Sequence, residues 1–392
     1  MEIERLRAIL AESSCSAWLF ADFRHSNRIA YRALGLDERQ IASRRWYYLL
    51  PKHGTPRKLV SAVEPGVLDS LPGEKHVYRT WQEREAGLGL LLAGQTRIAA
   101  EYSPHGQNPY IGAVDAGTIE LVRSLGVEVV SSADLVQRAV AVLSERQLEQ
   151  HREASRRLIA IKDRAFAAVR AAVRAERPLT DWQLQQHLLA WIEEAGMVTD
   201  HAPEVATDGH ASDPHFSPAE DRQTPIVPGA VLLLDCWAKL DEPGAVYADY
   251  TWMAYVGERT PDRPAALFAV VAAARDAAIE FVQSAVRTGR TLRGYEVDRV
   301  AREVVTRAGY GDAFIHRTGH NIGQDVHGEG ANLDDYETHD ERLLLANTCF
   351  SIEPGIYLPD LGVRSEVNVL LLPSDIEVTG EIQRAIVPLL AN

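Results

Sequence analysis

Short apolar runs separated by turn-rich stretches mark the first 143 residues. The runs at 17–20, 46–50, 96–100 and 127–130 predict buried strands, and helical spacing recurs over 116–125 and 132–143. This alternation predicts a small α/β domain over 1–143. The pattern changes at Ser144. Ser144 with Gln147 three positions on fits a capping box, and an Ala/Arg/Glu-rich helix is expected to run to about Ala175. A second domain, 144–392, therefore begins there, through a stiff helical linker.

The second region echoes itself. A helix opening on Leu179 ends at Gly196, and one opening on Leu292 ends at Gly309, so both have Gly 17 positions after Leu and the copies lie 113 residues apart. Each follows a longer Ala-rich helix, 151–175 and 263–287, and precedes a polar, His-bearing stretch and then strands. This order predicts a domain of two similar halves. Strands are expected over 230–237, 250–257, 313–316, 348–358, 362–372 and 382–389. The fold class is α+β, with antiparallel strands flanked by helices.

Composition narrows the function. At 392 residues the chain is long for one core. Its net charge of −14 argues against nucleic acid or an anionic membrane as partner. Cys15, Cys236 and Cys349 form no CxxC pair, which predicts reduced, buried thiols. The first residues lack a signal-peptide pattern, and the apolar runs fall short of the ~20 residues of a membrane helix. A cytoplasmic protein is expected.

The candidate chemistry lies in acids that interrupt apolar runs. Asp235 ends Val231-Leu-Leu-Leu-Asp, and Asp249 sits in Val246-Tyr-Ala-Asp-Tyr-Thr-Trp. Glu353 lies in Ser351-Ile-Glu-Pro-Gly, and Glu366 in Val363-Arg-Ser-Glu-Val. A bare buried carboxylate costs several kcal/mol, so each needs a partner. Four together predict a shared divalent cation such as Mn, Co, Zn or Fe. Period-2 spacing places Thr251 on the face of Asp249, as a hydrogen-bonding support, and Arg364, Glu366 and Asn368 on one strand face. His316, His320 and His327 form a Gly-punctuated trio in which one imidazole would bind metal and the others substrate. His215, in Pro214-His-Phe, is a weaker signal.

Together these motifs resemble the pita-bread metallopeptidase family, which includes Xaa-Pro dipeptidases (prolidases), Xaa-Pro aminopeptidases, methionine aminopeptidases and creatinases. The resemblance is strong over about 150–392, and 1–143 is similar to the creatinase/prolidase N-terminal domain. It implies two divalent metal ions per chain, manganese foremost, with cobalt or zinc as alternatives. Asp235, Asp249, His320, Glu353 and Glu366 would be the ligands, Asp249 and Glu366 bridging. It implies catalytic roles for Glu353, His215 and His327, and substrate contacts from His215, His316, His327 and Arg364. The activity implied is hydrolysis of an Xaa-Pro dipeptide by a metal-bridging water or hydroxide. The alternatives are an Xaa-Pro aminopeptidase acting on longer peptides and a creatinase-like non-peptidase or binding module. A homodimer is implied as well. The chain departs from the family pattern at Asn321 (often Gly), at Trp252 (often Arg), at Gly328-Glu-Gly after His327, and in the 14-residue spacing of its two aspartates.

Overall fold

A computed structural model describes residues 2–391, and every element below is counted among them. The chain divides into two compact units, Met1–Val142 and Leu143–Asn392.

The first unit contains α1 (Glu2–Ala11), β1 (Ala17–Asp22), α2 (Arg28–Leu34), β2 (Trp46–Pro51), β3 (Arg57–Ser61), β4 (Glu74–Tyr78), α3 (Trp81–Leu92), β5 (Arg97–Ala100), α4 (Ala116–Ser124), β6 (Glu128–Ser131) and α5 (Ala133–Val136). Its six strands form one mixed sheet in the order β4-β3-β2-β1-β5-β6. The central strand β1 is apolar on both faces because both are covered. Trp18 and Phe20 enter one core, and Ala17, Leu19 and Ala21 the other. The helix expected over 132–143 is shorter, since α5 passes into a π-type turn at Gln137–Ala141.

The second unit contains α6 (Glu145–Arg174), α7 (Asp181–Glu194), β7 (Met197–Val198), β8 (Glu204–Thr207), β9 (Val231–Leu240), β10 (Ala248–Tyr255), α8 (Asp262–Arg287), α9 (Gly294–Arg307), β11 (Asn321–Ile322), β12 (Thr348–Ile352), β13 (Gly355–Leu358), β14 (Leu361–Arg364), β15 (Val367–Leu371), β16 (Ile376–Thr379) and β17 (Val387–Pro388). The capping box is present: Ser144 Oγ accepts from the Gln147 amide, and the Gln147 side chain accepts from the Ser144 amide. The echo is structural too, because α9 starts and stops 113 positions after α7.

One sheet runs β17-β10-β9-β7 with β8 also on β9, and a second runs β11-β12-β15-β16, with β13-β14 as a separate hairpin. Residues of β9 and β10 alternate between two cores. Leu232, Leu234, Cys236, Tyr250 and Trp252 pack with α6 and α7, whereas Leu233 and Met253 pack with α8, α9 and the second sheet. The opposite face of β9 and β10 thus meets the second half of the unit. Asn368 of β15 fastens it there, since its side chain accepts from the Asp249 amide (2.9 Å) and donates to the Asp249 carbonyl (2.6 Å).

Several expected strands differ. Residues 313–316 form no strand. A 3-10 turn spans Gly311–Ala313, and the Arg302 guanidinium takes the carbonyls of Phe314 (2.9 Å) and His316 (2.7 Å) that a ladder would have used. The run 348–358 breaks at Glu353-Pro354, where proline has no amide to donate and Glu353 N bonds Thr318 O instead. The run 362–372 breaks at Ser365-Glu366, so Arg364 and Glu366 do not share a strand with Asn368. Of 382–389, only Val387–Pro388 is a strand.

Candidate metal centre

Strand register brings the first acids together. Glu204 on β8 and Thr251 on β10 both lie opposite Asp235 on β9. Asp249 is two residues from Thr251 and so on the same face of β10. The two strand breaks supply Glu353 and Glu366, and His320 immediately precedes β11. His320 Nε2 lies 3.4 Å from Asp249 Oδ2 and 3.4 Å from Glu353 Oε1. One ligand-type atom from each of Asp249, His320 and Glu366 falls within a 4.8 Å cluster, and all three residues are buried.

The supports are polar and buried. Ser351 Oγ donates to Glu353 Oε1 (3.1 Å) and accepts from the His320 amide (2.9 Å). Thr251 Oγ1 donates to Glu366 Oε2 (3.0 Å), so it steadies Glu366 rather than Asp249 as its spacing had suggested. Arg364 threads a positive charge through the group. It bonds Thr251 Oγ1 (2.9 Å), the Pro214 carbonyl (3.1 Å), Tyr357 OH (3.2 Å), Glu204 Oε2 (3.1 Å) and Asp235 Oδ2.

Arg364 does not balance this many carboxylates. Burial, and then the neighbouring carboxylates, push the carboxyls of Asp249 and Glu366 well above the usual range. Burial lifts Asp235 to about 7 despite Arg364, and it raises Glu353 as well. Asp235 Oδ1, Asp249 Oδ1 and Glu366 Oε1 are buried without any hydrogen-bond partner. Buried acceptors are nearly always satisfied. Three orphaned carboxylate oxygens beside a histidine therefore fit hard divalent cations, with the mixed oxygen and imidazole donor set such ions take. Burial also drives the His320 pKa well below its ordinary value, which keeps the ring in its neutral, ligating form.

The other histidines occupy different settings. His327 packs edge-on against His320, ring centroids 4.3 Å apart, and burial lowers its pKa to about 4. His316 is buried with both nitrogens engaged. Nδ1 donates to the Arg317 carbonyl (2.6 Å), and Nε2 accepts from Tyr357 OH (2.7 Å). His215 is exposed, with Nδ1 3.4 Å from Glu204 Oε1. Residue-by-residue reading missed Glu204, Tyr357 and Ser351 as site members. Glu204 carried the same signal as the other acids, a lone carboxylate in the apolar run Pro203-Glu-Val-Ala, but stood outside any motif.

Three of the four departures from the family pattern have structural explanations. Trp252 points into the α6–α7 core, away from the acids. Asn321 donates to the Cys349 carbonyl (2.8 Å) and accepts from the Gly330 amide (2.8 Å). A Cβ on Gly330 would come within 2.5 Å of Asn321 Cγ, and one on Gly328 within 2.3 Å of its Oδ1. Asn321 and Gly328-Glu-Gly are thus one device, in which the glycines make room for the amide.

Residues 149–372 match the model of metallopeptidase family M24. The chain is 33% identical over 205 residues to an Xaa-Pro dipeptidase of Lactobacillus helveticus, 51% of this chain and 49% of that protein. It is 31% identical over 260 residues to a probable dipeptidase PepE of Mycobacterium tuberculosis, 64% of this chain and 62% of that one. The match spans about half the length of the Lactobacillus protein. Among solved structures, dipeptidase PepE of Mycobacterium ulcerans superposes with a TM-score of 0.77 at 22% identity, covering 99% of this chain and 97% of that one. A prolidase of Thermococcus sibiricus does so with a TM-score of 0.68 at 19% identity, covering 98% of each.

Proposed function

Because the chain belongs to metallopeptidase family M24 and has its pita-bread fold, we propose that it is a two-metal peptidase hydrolysing the Xaa-Pro bond of dipeptides. The single observation that carries this reading is the buried Asp249–His320–Glu366 cluster with its orphaned carboxylate oxygens. Asp235, Asp249, His320, Glu353 and Glu366 are the proposed ligands, and manganese is the ion we expect first. Bound there, the ions would offset the carboxylate charge, polarise the scissile carbonyl and acidify water.

The remaining roles belong to the chain's own side chains. The neutral imidazole of His327 faces the scissile carbonyl from the His320 side, and His215 does so from the rim. Glu353 takes the proton released as water attacks the scissile carbonyl and hands it to the proline nitrogen as the C–N bond breaks. Its oxygen is aimed by the Ser351 hydroxyl. Arg364 orders Asp235, Thr251 and Tyr357 rather than contacting substrate, because its nitrogens are already engaged with protein acceptors. His316 acts through Tyr357 in the same way.

Incubation of the manganese-loaded protein with Ala-Pro, Ala-Pro-Ala and Ala-Leu tests the reading. Ala-Pro should be cleaved fastest, and a chelator should stop it. Preference for Ala-Pro-Ala would move the assignment to an aminopeptidase, preference for Ala-Leu to a general dipeptidase, and no cleavage of any would remove the peptidase reading.

A further inference from the structure

Glu204 is a carboxylate in the site that the five proposed ligands do not include. Its side chain is 10% exposed and both oxygens point at nitrogen groups. Oε2 is held by Arg364 Nη2 at 3.1 Å, and Oε1 lies 3.4 Å from His215 Nδ1. The His215 ring is otherwise loose, with 86% of its side chain exposed. Among the described residues, Glu204 is the one side chain within bonding reach of that ring. The backbone beside it is tied by the same arginine, since Arg364 Nη1 donates to the carbonyl of Pro214. Glu204 itself cannot drift, because β8 register fixes it opposite Asp235.

We propose that Glu204 is a positioning residue, clamped by Arg364, that holds His215 with Nδ1 toward the carboxylate and Nε2 free for the substrate. A carboxylate bonded to one imidazole nitrogen orients the ring and favours its imidazolium form, whose Nε2–H can donate to the scissile carbonyl. Glu204 also raises the His215 pKa, with burial and Arg364 opposing and Glu353 adding to it. The proposal rests on the reading above that His215 meets the substrate. Arg364 already balances the charge of Glu204, so what the contact with His215 adds is the orientation of the ring.

The test is a double-mutant cycle on the manganese-loaded chain with Ala-Pro. Glu204→Gln should keep the wild-type metal content per chain and lower kcat about 10- to 100-fold, the usual effect of removing such a partner, with a smaller change in KM. His215→Gln should lower kcat as well, and Glu204→Gln/His215→Gln should be no slower than His215→Gln alone. Glu204→Asp keeps a charge facing Arg364 but is one methylene short of His215, so it should fold and share the loss. Multiplicative losses in the double variant, loss of metal in Glu204→Gln, or full turnover in Glu204→Asp would each overturn the proposal. An inactive wild-type chain would instead strike down the peptidase reading on which it rests.

Discussion

At the residue scale the acids differ in what they are asked to hold. Asp249 and Glu366 each keep one oxygen engaged or adjacent to a partner and leave the other orphaned and buried. Each therefore has an oxygen to offer a cation, as Asp235 does beside its bond to Arg364. Asp249→Ala and Glu366→Ala should therefore lose bound metal and turnover together, by about 100-fold or more. His327→Ala should keep its metal and lose turnover, because its ring packs on His320 rather than among the carboxylates. Metal content by elemental analysis beside a rate assay decides this, and an empty His327→Ala site would refute the ligand assignment. The four acids were legible in the sequence because each breaks an apolar run. Their supports were not, because which partner Thr251 bonds depends on where Glu366 lands after a strand break, and no local spacing encodes that.

At the element scale, α6 carries a buried histidine that ties three segments. His151 Nδ1 donates to the Tyr247 carbonyl (2.7 Å) before β10, and Nε2 accepts from Thr379 Oγ1 (2.7 Å) on β16. Burial lowers its pKa to about 4 from an unfolded value near 6.5. Between those values the unfolded chain binds the extra proton, so the stabilisation is full above about pH 6.5, shrinks as pH falls, and is gone below about pH 4. The amount is about 3 kcal/mol. Urea unfolding at pH 7.5 and 4.5 should show a drop in the wild-type chain that is about 2–3 kcal/mol larger than in His151→Gln. Equal drops would mean that the ring titrates freely. Long elements such as α6, with its cap at Ser144, were readable because caps and 3.6-residue spacing are local signals. The strand expected at 313–316 failed because an arginine on α9 supplies the donors a neighbouring strand would have given. The runs 348–358 and 362–372 were right as extended chain and wrong as continuous strands. In each, the interruption falls at a candidate ligand, where the backbone turns out of its ladder to aim a carboxylate.

At the scale of the whole molecule, the cluster draws on both halves of one unit and on none of Met1–Val142. Asp235 and Asp249 come from the first sheet, while His320, Glu353 and Glu366 come from the segments around the second. The 113-residue echo made two halves visible in the sequence, but that the acids meet between them follows only from strand register and packing. Cations at that seam would cross-link the halves while relieving the repulsion that raises the carboxyl pKa values. Since they bind the folded chain and not the unfolded one, manganese at 100 times its Kd should add about 2.7 kcal/mol to stability. That gain belongs to the unit that holds the site. Amide exchange should slow on β9, β10, β12 and β15 when manganese replaces chelator, and stay unchanged on β1, β2 and β5. Protection confined to β9 and β10 would place the ions on one sheet alone, contradicting a site shared by the two halves, and protection spread evenly over the chain would mean that binding is not centred on these carboxylates.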